Sequence, residues 1–161
     1  FISDYSDKLP DDQFENCINF SNAYVSHCEG DLNNALVCIS KVSFPLAILK
    51  IQVKIMQVQL NYQLGYFEET RSLVESFKKS LVKEEVISDV YKNSIIGFLK
   101  AVVTLISIKE ETDLSKKQYE FERLKDNIDK SQLNHFGIKF WLEDRITETK
   151  YFLPEIKKGA N

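Results

Sequence analysis

Apolar positions along the chain recur at helical rather than strand spacing. In the segment 45–64, Ile48, Ile51, Ile55, Val58 and Tyr62 form one stripe at steps of three and four residues. Leu49, Val53, Met56, Leu60 and Leu64 form a second. A helix turns about 100° per residue, so the two stripes lie on opposite sides. Lys50, Lys54, Gln57 and Asn61 fill the gap on one side; Gln52, Gln59 and Gln63 fill the narrower gap on the other. A helix with two apolar faces buries both only when it is sandwiched between neighbours.

The same reading predicts about seven helices: 12–28, 32–42, 45–64, 67–82, 88–109, one starting near 113, and 132–153. Helix boundary signals agree. Asp11 and Asp12 follow Pro10 as capping acids, and Gly30 ends the first helix. Asp31 is placed to cap the second, Pro45 suits the first turn of the third, and Gly65 closes that one. Lys78, Lys79 and Lys83 stand where the fourth helix ends and its dipole favours cations. Ser115-Lys-Lys-Gln118 has the form of a capping box, and Pro154 stops the last helix. The longest apolar stretch, Ile95 to Ile108, contains Lys100 and falls short of the roughly 20 residues a membrane span needs. It is predicted as a buried helix, with a strand pair as the lesser alternative. Gly97 inside it is expected at a close helix crossing, since a mid-helix Gly costs about 1 kcal/mol against Ala.

An internal repeat organises the first half. Gly30 and Gly65 stand 35 residues apart. A shift of 35 pairs Ile18 with Val53, Phe20 with Ile55, Val25 with Leu60, Leu32 with Phe67, Ile39 with Val74 and Val42 with Phe77. Each unit reads helix, Gly turn, helix, close to the 34-residue period of tetratricopeptide repeats. The turns Gly30-Asp-Leu-Asn-Asn-Ala35-Leu and Gly65-Tyr-Phe-Glu-Glu-Thr70 resemble that family's turn. Asn19, Asn22 and Ser26, and again Lys54, Gln57 and Asn61, stand where the family usually carries large apolar residues. Thr70 stands where it carries Ala. The period fades after residue 83.

From about residue 46 onward the chain resembles the C-terminal part of a group of bacterial tetratricopeptide-like proteins. The resemblance rests on Tyr62-Gln-Leu-Gly-Tyr-Phe-Glu-Glu, Leu73-Val-Glu-Ser-Phe77-Lys-Lys and Phe140-Trp141-Leu142-Glu143. It implies an α-solenoid without known catalytic activity and carries over no functional residues. The expected architecture is therefore all-α: an antiparallel helix-pair array in one domain, 1–161. Two tetratricopeptide-like pairs occupy 12–82, and degenerate or capping helices fill 83–161.

Composition supports long helices. Only five Gly and three Pro occur among 161 residues, well below their usual joint share of about 12%. The net charge of −3 leaves no basic footprint for nucleic acid. Residues 1–45 hold seven acids against two bases, a solvated acidic start or a patch that steers a partner. Three cysteines at irregular spacing suggest reduced thiols and a cytoplasmic location. The chain opens on Phe1, as an excised or processed fragment would, and shows no charged-then-apolar leader.

Candidate chemistry is sparse. No phosphate-binding glycine loop, HExxH or CxxC occurs in the sequence. Cys17, His27, Cys28 and Cys38 cluster in sequence, yet Cys17 and Cys28 lie about 16 Å apart along a helix, too far to share a metal. All three thiols are expected as small buried hydrophobes. Trp141, with Phe136, Phe140 and Phe152, is expected to pack the last helix. Tyr24, Tyr62 and Tyr66 near the Gly turns either close interhelix packing or meet a peptide.

In the register of a repeat array, first helices line a groove. The candidate partner-binding residues are Tyr24, His27, Gln52, Gln59, Tyr62 and Gln63, whose amides and rings suit an extended peptide backbone. The alternative is that two repeats do not curve into a groove and the strip is merely exposed. The expected function is a non-catalytic interaction or scaffold module for a peptide or partner helix. It would have no catalytic residues, metal or cofactor, no nucleic acid partner and no membrane. Two alternatives stand beside it. One is a regulatory helical domain of a larger protein whose N-terminal part carries the DNA contact, signalling or chemistry. The other is a structural, self-associating domain.

Overall fold

A computed structural model describes residues 11–131 and 135–151. Among these residues the protein is all-α, with seven helices and no strand. The helices are α1 (Asp11–Cys28), α2 (Leu32–Ser40), α3 (Ala47–Gln63), α4 (Phe67–Val82), α5 (Asp89–Glu110), α6 (Leu114–Asp129) and α7 (Ile138–Tyr151). The chain divides into two compact units, Phe1–Ser88 and Asp89–Asn161, close to the point where the 35-residue period fades.

In the first unit α1 packs on α2, α2 on α3 and α3 on α4. The core gathers Ala23 from α1, Ala35, Cys38 and Ile39 from α2, Val42 and Phe44 from the connection, and Val53, Met56 and Leu60 from α3. This is one of the two apolar stripes of α3. The other is buried as well, at Ile51, Ile55, Val58 and Tyr62. α3 is therefore enclosed on both sides, as its two stripes require. Ile48 at its first turn stays exposed.

The turns after α1 and α3 repeat bond for bond. Gly30 N–H donates to His27 C=O at 3.1 Å, and Gly65 N–H to Tyr62 C=O at 3.1 Å. Asp31 N–H reaches Ser26 C=O at 2.9 Å, and Tyr66 N–H reaches Asn61 C=O at 2.9 Å. Leu32 and Phe67 donate to the two glycine carbonyls at 3.0 and 2.9 Å. Every partner is shifted by 35 residues. Gly30 and Gly65 hold φ of +83° and +78°, the left-handed region where a side chain is strained.

Several local expectations change. Asp31 does cap α2, accepting from Asn34 N–H at 3.0 Å. Pro45 stands outside α3, just before the N-cap Leu46, rather than in its first turn. α6 is capped by Asp113, whose carboxylate accepts from Ser115 N–H and Lys116 N–H. Ser115 is therefore inside the helix and not its cap; Gln118 bonds Glu122 at 2.8 Å instead of reaching back. Thr70 fits the buried site of Ala35 because its hydroxyl donates to Tyr66 C=O at 2.7 Å.

In the second unit α5 packs on α6 and α7, and α6 on α7. The strand alternative for 95–108 is replaced by helix α5, which buries Ile95, Phe98, Leu99, Val102, Leu105 and Ile106. α5 is long and apolar enough to cross a membrane by length and composition alone, and half of that window is buried, as in a core helix. Trp141 is buried and meets Phe98 edge-on, with ring centroids 5.8 Å apart. Phe140 points to solvent instead of joining it. Phe152, Pro154 and the residues 132–134 at the expected start of the last helix lie outside the described residues, as does Pro10.

Candidate interaction surface

α1 and α3 bring part of the candidate set together. His27 Nε2 lies 2.9 Å from Gln63 Oε1, an oxygen that only accepts, so the ring donates Nε2–H. This bond spans 36 residues of sequence and ties the C-terminal turn of α1 to that of α3. Both side chains are half-buried. Tyr24 sits one turn earlier on α1 and is 46% exposed. Its ring stands edge-on to Phe20 at 5.0 Å, and Phe20 stands edge-on to Phe44 at 5.4 Å. Partial burial raises the Tyr24 phenol above its ordinary pKa, so it stays neutral and can both donate and accept. Gln52, two turns before Gln59 on α3, is half-buried.

Gln59 and Tyr62 are placed differently. They are 9% and 1% exposed. Tyr62 packs beside Phe67, with ring centroids 5.9 Å apart. These two residues fill the interior; of the six candidates, Tyr24 is exposed and His27, Gln52 and Gln63 are half-buried.

The other side of α3 holds Lys54. Its Nζ donates to Ser80 Oγ at 2.7 Å and lies 5.3 Å from the Phe77 ring centre. Loss of solvent, and secondarily Lys50, lower its pKa below the ordinary lysine value. The three thiols do not behave alike. Cys38 is buried, Cys17 is half-buried and Cys28 is exposed, so the expectation of uniformly buried cysteines holds only for the first. Among the described residues, no group of three or more His, Cys, Asp or Glu could hold a metal ion.

In the second unit a hollow of about 190 Å³ lies between α5 and α6, bordered by Val103, Ser107, Glu111, Lys116 and Glu120. Pockets for drug-sized ligands run from about 300 Å³ upward. The Glu111 carboxylate is also committed locally, accepting from Thr112 N–H and Asp113 N–H at 2.9 Å each.

Sequence reasoning passed over a second exposed feature of α1. Phe14 and Val25 are 38% and 47% exposed, and Ile18 between them is half-buried. The signal was present in the 35-residue pairing of Ile18 with Val53 and Val25 with Leu60. No protein family, curated protein or solved structure matches this chain.

Proposed function

We propose that residues 12–82 are two tetratricopeptide-like helix pairs of an α-solenoid, and that the protein is a non-catalytic interaction module holding a peptide or a partner helix. The repeated turn carries this reading. The same backbone bonds recur at Gly30 and Gly65 on unlike side chains, which is how a repeat preserves a backbone solution while its sequence drifts. The His27–Gln63 bond supports it further, because it joins the two first helices along one edge. On the same two helices, Tyr24 and Gln52 offer an amphipathic ring and an amide, groups suited to an extended backbone. Free thiols at Cys17, Cys28 and Cys38 accord with a cytoplasmic, reducing setting.

The test is selection of peptides from a displayed random library on the full chain, followed by titration of one selected peptide by fluorescence anisotropy. Tyr24→Ala with Gln52→Ala should weaken its binding by tenfold or more while the circular dichroism is unchanged. Undiminished binding by that double variant overturns the assignment of this surface.

A further inference from the structure

A lysine ordinarily keeps its ammonium group in water or against a carboxylate. Lys78 and Lys130 take the second course, 2.9 Å from Glu75 and 2.7 Å from Asp126. Lys54 takes neither. Its side chain is half-buried on the α4 side of α3, with Nζ 5.3 Å from the Phe77 ring centre. Among the described residues no carboxylate forms an ion pair with it. The other charge on α3 is Lys50, one turn earlier and exposed. The facing end of α4 adds Lys78, Lys79 and Lys83, and of these Lys78 is spent on Glu75.

The hydrogen bond to Ser80 fixes the amine and has a direction. Ser80 Oγ donates its own proton to Phe77 C=O at 2.9 Å, so toward Lys54 it can only accept. Lys54 Nζ donates to it at 2.7 Å. That contact needs a single N–H. A neutral amine has two N–H groups and a lone pair, so it keeps the bond to Ser80 and carries the lone pair at one of its other positions. The nitrogen is thus held in place in either protonation state. Withdrawal from water, and then the like charge of Lys50, favour the neutral state and lower the Lys54 pKa. Desolvation and a neighbouring cation are the two devices that make a lysine nucleophilic near neutral pH.

We propose that Lys54 is a modification site, a nucleophilic amine that takes a short acyl group from an activated carboxylic acid, either a thioester or an acyl phosphate. The neutral nitrogen attacks the carbonyl carbon. A C–N bond forms, and the C–S or C–O bond to the leaving group breaks. The thiolate or phosphate departs with the electron pair, the nitrogen's proton passes to water, and an amide remains. Ser80 has its proton committed to Phe77 C=O and acts as a positioning residue. The amide carries no charge, so it suits the half-buried place beside Phe77 better than the ammonium it replaces. This proposal is independent of the interaction reading above.

An anion held between Lys50 and Lys54 is the weaker fit. It would use the charged form of Lys54, which this position disfavours, and Lys50 stands exposed. Lys109 of α5 shows what a nearby carboxylate changes. Burial lowers its pKa as well, but Glu148 opposes the shift. Lys54 has no such opposing carboxylate.

The experiment exposes the full chain, near neutral pH, to a low concentration of acetyl phosphate and, in a parallel arm, of a small-molecule acetyl thioester. Hydroxylamine then strips acyl groups from the thiols, and peptide mass spectrometry reads each lysine separately. Lys54 should be acetylated about threefold faster or more than Lys50 and Lys79. The preference should shrink as pH rises toward about 10, where the reference amines also lose their protons. It should vanish when the chain is unfolded in urea. Lys54→Arg should abolish the fast component and leave the circular dichroism unchanged. Equal rates at Lys54, Lys50 and Lys79 in the folded chain overturn the proposal. So does a preference that survives in urea, because it would belong to the local sequence. A preference confined to one donor overturns it too, since the selectivity would then lie in binding that donor and not in the amine.

Discussion

The hairpins α1–α2 and α3–α4 share a turn and an apolar register, and differ at the polar positions placed between them. Both turns bend at a left-handed glycine, at φ +83° and +78°, and close with the same set of backbone bonds. Several side chains around them do not correspond. His27 faces Tyr62 in the pairing, Asp31 faces Tyr66, Ala35 faces Thr70 and Asn19 faces Lys54. At the last turn of the first helix the contrast is direct: His27 is polar and half-buried, where Tyr62 is large and buried. A backbone solution thus survives extensive change on its surface, provided the glycine and a helical hydrophobic period remain. What the change alters is which face stays open to something else.

The sharpest way to break this equivalence is to truncate both members of the pair His27 and Tyr62. Tyr62 is 1% exposed and packed beside Phe67. Tyr62→Ala removes a ring from the interior and should cost about 3 kcal/mol or more in urea unfolding. His27→Ala removes one half-buried hydrogen bond to Gln63 and should cost about 1 kcal/mol. Equal costs would mean that the two positions are structurally alike after all, and that Tyr62 is less enclosed than its burial indicates.

A smaller contrast lies at the helix starts that follow the glycines. Asp31 and Tyr66 hold nearly the same backbone angles as N-caps, φ −81° with ψ 74° and φ −80° with ψ 69°. Only Asp31 supplies a side-chain acceptor, to Asn34 N–H. Asp31→Ala should therefore destabilise by about 1 kcal/mol. Tyr66→Asp should stabilise by up to about 1 kcal/mol, since it adds the missing acceptor next to a helix N-terminus that favours negative charge. Opposite signs in chemical denaturation confirm that the turns are interchangeable in backbone and unequal in side chain. A destabilised Tyr66→Asp would show that the half-exposed Tyr66 ring contributes more than a cap.

Much of this was legible before the fold was known, for local reasons. Gly30, Gly65 and Asp31 act within four residues of themselves, so spacing alone locates them. The two stripes of segment 45–64 state that α3 is enclosed on both sides. The candidate surface was read less well because two valid patterns competed. Tyr62 belongs to an apolar stripe and also to the first-helix register that was expected to line a groove; burial decided for the stripe. Gln59 lies between Val58 and Leu60 on a helix enclosed from both sides, and its amide went inside with them. At α6 the Ser-x-x-Gln pattern pointed to Ser115 as the cap, and the carboxylate of Asp113, two residues earlier, holds it instead. The His27–Gln63 bond joins residues 36 apart, a relation that periodicity registers only as proximity of two helices.

The smallest expected effect concerns the polar gap of α3. Lys54 is partly withdrawn from water beside Phe77 and close to the like charge of Lys50, and its pKa falls below the ordinary lysine value. Its counterpart in the first hairpin is Asn19, which carries no charge and donates to Glu15 C=O at 2.9 Å. For a group whose folded pKa is depressed, the unfolded chain binds the proton more tightly. Stability contributed by this site is therefore lower at neutral pH, and rises as pH climbs from the folded pKa toward the ordinary value of 10.5. Lys54→Met should remove that rise, leaving the remaining alkaline dependence unchanged, while the alkyl chain still covers Phe77. Asn19→Lys is the reciprocal change. If the hairpins are equivalent in backbone and distinct only in their side-chain environment, the amine introduced by Asn19→Lys into the more open first hairpin should produce no comparable rise. Urea midpoints of the parent chain and both variants between pH 8 and about pH 10.5 read the difference directly. A matching rise in Asn19→Lys would mean that α1 is covered on that side as α3 is, and the contrast between the hairpins would be confined to the Phe14–Val25 face.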